Sequence, residues 1–205
     1  MIVDTVPVSD FIQTNAYFYI DEQTKHGFLI DPGAEAEKLL NVIIENGWII
    51  EKILITHGHF DHIGGVDEIS QKLNIPYLAH KNSQNYLTDG NYNLSAFFVN
   101  EIKLNNALYV DEGQNIVLEA NPAVKLRVIY TPGHTQDAVI YYDMNNKLAF
   151  VGDTIFKNAV GRTDIPGGNE QQLYQSIREK IFTLPDDTVL YPGHSEPTTV
   201  GAEKP

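Results

Sequence analysis

The chain has 205 residues with 27 Asp plus Glu against 14 Lys plus Arg, a net charge of −13, so it is sized for one domain and poorly suited to nucleic acid or an anionic membrane as partner. It contains no Cys, which excludes disulfides, thiolate metal sites and a cysteine nucleophile. No apolar run approaches the ~20 residues of a membrane span, and the start Met1-Ile2-Val3-Asp4 lacks a basic leader region, so a cytoplasmic location is expected.

Strand-like and helix-like stretches alternate in the first half. Thr14 to Ile20 puts Ala16, Phe18 and Ile20 on one face and Tyr17 and Tyr19 on the other, the period of a strand, and Gly27 to Ile30 reads as its neighbour. After Asp31-Pro32-Gly33, a helix is predicted over Glu35 to Asn46, with Leu39, Leu40, Ile43 and Ile44 on one face and Gly47 as its stop. Ile49 to Ile55 is a continuous apolar strand, and Gly65 to Leu73 carries Val66, Ile69 and Leu73 at helical spacing. Beyond residue 106 the pattern turns mostly to strands: Ala107 to Val110, Ile116 to Glu119, Lys125 to Tyr130, Ala138 to Asp143 and Leu148 to Val151, with a hairpin turn at Asn145-Asn146. Asn169 and Gln172 are spaced as a capping box ahead of a helix with the stripe Leu173, Ile177 and Ile181, closed by Pro185. Thr188 to Tyr191 is the last strand. The alternation predicts an α/β chain, two sheets packed as a sandwich with helices outside.

Three of the seven histidines crowd into Thr56-His57-Gly58-His59-Phe60-Asp61-His62, a turn leaving a strand end. Imidazole nitrogen with carboxylate oxygen suits Zn, Fe or Mn. Tyr130-Thr131-Pro132-Gly133-His134 and Leu190-Tyr191-Pro192-Gly193-His194 repeat one pattern, an apolar strand, a Pro-Gly turn and a histidine, and Phe150-Val151-Gly152-Asp153 ends a strand in a carboxylate. Five His and two Asp exceed the four ligands of one tetrahedral Zn and match two metals sharing a bridging carboxylate and a bridging hydroxide. His26 and His80 have no such context and read as structural or surface residues.

The series His57-x-His59-x-Asp61-His62, His134, Asp153 and His194, with Ile30-Asp31-Pro32-Gly33 before it, resembles the metallo-β-lactamase superfamily over nearly the whole chain. Gly161-Arg162-Thr163-Asp164, Pro166-Gly167-Gly168 and the ending from Pro192 to Lys204 resemble the short glyoxalase II-like hydrolases of that superfamily. The resemblance implies an αβ/βα sandwich of two mixed sheets with outer helices, formed by a single domain over 1–205. It assigns His57, His59 and His134 to one metal, Asp61, His62 and His194 to a second, and Asp153 to both, with Zn as the expected metal and Fe or Mn as alternatives. Where the family often reads Pro-Gly-Ser after the third-motif Thr, this chain has Gln136-Asp137-Ala138 after Thr135, which is expected to bring a charge near the cleft. Longer glyoxalase II enzymes grip glutathione with a C-terminal helical domain for which no counterpart is expected in this sequence, so the resemblance does not carry glutathione specificity with it.

The function these readings favour is hydrolysis of a small acyl thioester such as an S-lactoylglutathione-like compound, with Asp61 orienting the attacking hydroxide. Asp31 reads either as a carboxylate holding a ligand imidazole or as a cap for the following helix. Arg162 reads either as a cation facing substrate or as an ion pair with Asp164. Tyr92 to Phe98 places aromatics that line the pocket mouth or simply pack. The rival enzyme is a persulfide dioxygenase with one Fe(II) on His57, His134 and Asp153; a non-enzymatic metal-binding module is the third reading. The sequence leaves the oligomeric state open.

Overall fold

Two mixed six-stranded sheets lie face to face in the computed structural model, which describes residues 1–205. The first half supplies β1 (Ile2–Ser9), β2 (Gln13–Ile20), β3 (His26–Ile30), α1 (Ala36–Asn46), β4 (Ile49–Leu54), α2 (Phe60–Ile63), α3 (Val66–Leu73), β5 (Tyr77–His80), α4 (Gln84–Thr88), α5 (Ser95–Phe98) and β6 (Leu108–Val110). These strands stand in the order β1-β2-β3-β4-β5-β6, antiparallel as far as β3 and parallel from there. The second half supplies β7 (Asn115–Val117), β8 (Lys125–Tyr130), β9 (Val139–Asp143), β10 (Leu148–Gly152), the hairpin β11 (Ile155–Phe156) and β12 (Ala159–Val160), α6 (Glu170–Ser176), β13 (Val189–Pro192), β14 (Thr198–Thr199) and α7 (Val200–Glu203). Its sheet runs β14-β13-β10-β9-β8-β7, with only β10 and β13 parallel.

Side-chain alternation builds the layers. In β2, Ala16, Phe18 and Ile20 pack outward with Leu39 and Ile43 of α1 and Val66 and Ile69 of α3, while Tyr17 and Tyr19 face inward. The inner layer joins those tyrosines, Phe28 and Ile30 to Val128, Val139, Tyr141 and Phe150 of the opposite sheet. Ile140, Ala149 and Val151 take the outer face of the second sheet, under Leu173, Ile177 and Ile181. The last two of these lie on a widened turn after α6, where Phe182 N donates to Ile177 O at 2.9 Å. Burial on both sides explains why β3, β9 and β10 read as continuous apolar runs.

The sandwich follows the sequence expectation, with local differences. Helix α1 starts at Ala36 because Glu35 takes a left-handed conformation, φ 49°. Asn169 caps α6 as expected, its Oδ1 accepting Gln172 N at 2.9 Å. The expected strand Ile116 to Glu119 shifts to β7, since Leu118 N already turns to Val124 O. The strand β1 was not expected; Pro7 interrupts its pattern, and only an edge strand tolerates the missing donor. The four-residue strand β5 is too short for its period to show.

The ends that matter are the carboxyl ends of β3, β4, β8, β10 and β13, which precede Asp31, His57, His134, Asp153 and His194. Backbone packing there is close enough to demand glycine. A Cβ on Gly33 would stand 1.6 Å from the Asp61 carbonyl oxygen, and one on Gly193 would stand 2.3 Å from Asp153 Oδ1. Gly33→Ala is therefore expected to cost about 2 kcal/mol and lower the melting temperature by about 4–8 °C in thermal denaturation. An unchanged melting temperature would show that the contact relaxes freely.

Candidate metal centre

The turn after β4 delivers His57 and His59, and α2 follows at once with Asp61 and His62 in its single turn. His134 arrives over Pro132-Gly133, Asp153 over Gly152 (φ 49°), and His194 over Pro192-Gly193. All seven expected ligand residues converge. His57 Nε2 and His134 Nε2 lie 3.0 and 3.1 Å from His59 Nδ1. His194 Nε2 lies 3.3 Å from both Asp61 Oδ2 and Asp153 Oδ2, and His62 Nε2 lies 3.4 Å from Asp153 Oδ1. Three sets can each hold an ion: His57, His59 and His134; His57, His62 and Asp153; Asp61, His62 and His194.

The outer ring nitrogens settle which lone pairs face inward. His134 Nδ1 donates to Arg162 O at 2.8 Å, His194 Nδ1 to Gln13 O at 2.7 Å and His62 Nδ1 to Asp31 Oδ2 at 2.9 Å. Each acceptor holds a proton on Nδ1 and leaves Nε2 as the nitrogen that faces the cluster, where an ion would displace any proton it carries. His62 Nε2 and Asp153 Oδ1 are buried with no hydrogen-bond partner. Orphaned buried atoms of this kind cost about 1–3 kcal/mol each, and the mixed imidazole and carboxylate donors fit divalent Zn, Fe or Mn.

Asp31 makes three contacts: the one with His62, and bonds from Thr56 N at 2.8 Å and Thr56 Oγ1 at 2.5 Å. It does not cap α1, whose first turn has no side-chain cap. Thr14, which the sequence reading passed over, donates from Oγ1 to Asp61 Oδ2 at 3.0 Å; a lone Thr opening an apolar strand gives no pattern to find it by. The charge of Asp137, expected near the cleft, is instead fully buried beneath the His57-Gly58-His59 turn, where its Oδ2 accepts Gly58 N at 3.0 Å. Burial pushes its carboxyl up to about 6. His26 pairs with Glu51 at 2.9 Å, and His80 stacks on Tyr130, both apart from the cluster.

A cavity of about 340 Å³ opens on His59, Asp61, His134, Asp153 and His194. Ile12, Phe60, Leu94, Phe98, Phe156 and Ile165 form its apolar walls, so part of the Tyr92 to Phe98 stretch does line the mouth. Arg162 also borders it, but its guanidinium is paired with Asp164 by two bonds of 2.7 and 2.8 Å.

The protonation states divide the cluster. Burial, with the neighbouring imidazoles, holds His57 well below the ordinary value and His59 at about 3, and burial lowers His134 as well. Burial also opposes charge on His62 and His194, yet the surrounding carboxylates outweigh it and raise His62 well above its usual value and His194 to about 10. Burial works to raise Asp61 and Asp153, but the His62 charge prevails; Asp61 falls to about 2 and Asp153 well below the carboxylate range.

The sequence profile of the metallo-beta-lactamase superfamily matches residues 9–194. The chain is 40% identical to the probable metallo-hydrolase YqgX of Bacillus subtilis, covering 94% of this chain and 90% of that protein. It is 32% identical to the hydroxyacylglutathione hydrolase GloC of Haemophilus influenzae, covering 100% and 95%. Among solved structures, that of TTHA1623 in a di-iron-bound form superimposes with a TM-score of 0.85 at 31% identity, covering 98% of this chain and 96% of the other. No helix of the chain is long and apolar enough to cross a membrane.

The titrating groups set opposite slopes of stability in the metal-free protein. Below about pH 6.5 the unfolded chain binds protons that folded His57, His59 and His134 refuse, and lower still it binds those that Asp61 and Asp153 refuse, so stability falls with acid. Above about pH 6.5 the folded His62 and His194 hold protons that the unfolded chain has lost, so stability falls again toward pH 10. Melting temperatures in chelator are expected to peak near neutrality, with saturating Zn²⁺ abolishing the alkaline fall. A flat profile in chelator from pH 5 to 9 would contradict these protonation states.

Proposed function

The chain belongs to the metallo-beta-lactamase superfamily and is a metal-dependent hydrolase, and on that premise we propose that it cleaves small acyl thioesters. In this reading His57, His59 and His134 would hold one divalent ion and Asp61, His62 and His194 another, with Asp153 as a candidate ligand to either. When bound, the ions supply water ionised near neutral pH and a Lewis acid for the substrate carbonyl.

The observation that carries the choice of substrate is what the cavity lacks. Its ionisable side chains are five members of the ligand set and Arg162, which is paired with Asp164 and is too basic to serve as a proton donor near neutral pH. With the His and Asp donors committed to metal, the cavity lining offers no uncommitted side-chain acid to protonate a departing amine or alkoxide. A thiolate, with a conjugate-acid pKa of ~8.5, leaves without that help. Similarity to GloC along the whole chain supports the same chemistry.

The protein's own contributions are positional. Asp61, pinned by the Thr14 hydroxyl, orients the attacking water through its carboxylate. The apolar walls at Ile12, Leu94, Phe98, Phe156 and Ile165 exclude bulk water and hold the carbon portions of the substrate. Arg162 is bonded through Nε and Nη2 to Asp164, which competes with a distant substrate carboxylate for it, so the thiol carrier is expected to contribute little to recognition. The dioxygenase alternative, one iron on His57, His134 and Asp153, leaves the compact set of Asp61, His62 and His194 without a role.

The test compares one acyl group carried on a thiol, an alcohol and an amine. Thioester kcat/KM is expected to exceed that of the oxygen ester by roughly a hundredfold or more, about 2.7 kcal/mol in the barrier, and thioesters of different thiols are expected to lie within roughly a hundredfold of each other. Equal or faster cleavage of the oxygen ester would overturn the leaving-group argument, and oxygen uptake on a persulfide without thioester turnover would establish the dioxygenase.

A further inference from the structure

Asp137 is a fully buried carboxylate that the proposed chemistry does not use and that borders no cavity wall near the metal residues. It has no cationic partner; its Oδ2 accepts the backbone N–H of Gly58, the residue between His57 and His59, at 3.0 Å. It also belongs to the turn that carries His134, three residues upstream. Its other oxygen, Oδ1, and the hydroxyl oxygens of Thr135 and Ser83 are buried without a hydrogen bond, so the bond from the Gly58 N–H is the one hydrogen bond the carboxylate accepts.

Tyr86 completes the support. A Cβ on Gly58 would stand 2.5 Å from Tyr86 Cβ and 3.3 Å from Asp137 Oδ2, so the turn lies pressed against both. The Tyr86 hydroxyl accepts Gln136 N at 3.0 Å and donates to Pro166 O at 3.1 Å, and its ring meets that of His59 edge-on at 6.2 Å. The His57-Gly58-His59 turn and the His134 turn come from opposite sheets, and the bond between Asp137 and Gly58 is a direct link between them.

We propose that Asp137 is a positioning residue for the three-histidine metal site, its bond to Gly58 fixing the distance between the His57-His59 turn and His134 so that the three ring nitrogens already meet before the ion arrives. This rests on the metal assignment under Proposed function. The carboxylate acts through backbone geometry and touches neither metal nor substrate. Holding ligands in place in advance spares the ion the cost of ordering them, and support residues of this kind typically change metal affinity ten- to a hundredfold.

The test uses Asp137→Ala, which removes the acceptor, and Asp137→Asn, which keeps an oxygen for Gly58 N. Zn²⁺ affinity is measured by competition with a chromophoric chelator, Co²⁺ absorption reports ligand geometry, and the metal-free melting temperature reports stability alone. The Ala variant is expected to bind at one of its two sites about ten- to a hundredfold more weakly, with an altered Co²⁺ spectrum, and the Asn variant to stay within about threefold of the parent. Equal affinity and spectrum in the Ala variant, whatever its melting temperature, or an Asn variant as weak as Ala, would overturn the proposal. A parent that binds neither Zn²⁺ nor Co²⁺ would instead overturn the metal assignment. Should the Ala variant fail to fold, hydrogen exchange at the Gly58 amide of the parent before metal is added decides: slow exchange is the expected result, and exchange at the rate of an open loop overturns the proposal.

Discussion

A single buried carboxylate, Asp31, joins three of the elements on which the site depends. It stands at the end of β3 in a left-handed conformation, φ 49°, that a residue with a Cβ adopts at a cost of roughly 1 kcal/mol. Its two oxygens offset that cost by accepting Thr56 N and Thr56 Oγ1 at the end of β4 and His62 Nδ1 in α2. Thr56 in turn packs under Gly152, where a Cβ would stand 2.4 Å from its hydroxyl oxygen, so the strand carrying Asp153 is set by the same knot. The position of His62, the direction of its free nitrogen and the approach of Asp153 all follow from this contact.

The two sheets meet along a seam of hydrogen bonds as well as through apolar burial. Val139 N donates to Thr56 O at 2.9 Å, Tyr141 Oη to Ile55 O at 2.7 Å, Tyr17 Oη to Pro192 O at 2.6 Å and Asn15 N to Gly193 O at 2.8 Å. Each is worth only about 1 kcal/mol net. Their importance is positional, because every one lies within a few residues of His57, His134 or His194. Tyr17 and Tyr141 thus place their rings in the core and their hydroxyls on backbone that precedes the ligand turns.

Much of this was legible in the residues, and the parts that were not have physical reasons. The alternation in Thr14 to Ile20 separated the outer face from the inner tyrosines, because a strand buried on both sides still sorts its side chains by layer. The Pro-Gly-His turns stood out because glycine is required where backbone approaches the cluster, as at Gly193. Edge strand β1 and four-residue β5 escaped notice because a Pro or a short span erases the period. Arg162 and Asp31 each had two readings that only geometry separates: one is an exposed ion pair, the other a support for His62. Asp137 was placed near the cleft from its neighbours in sequence, but the direction of a side chain in a turn depends on what lies beneath it, here Gly58 and Tyr86.

Five histidines and two aspartates converge in one cluster, which under the proposed function would hold two divalent ions. Elemental analysis of the purified protein, after saturation with Zn²⁺ or Fe²⁺ and removal of the excess, tests this most directly. Two equivalents per chain are predicted; a stoichiometry that stays near one in the presence of excess metal would contradict it.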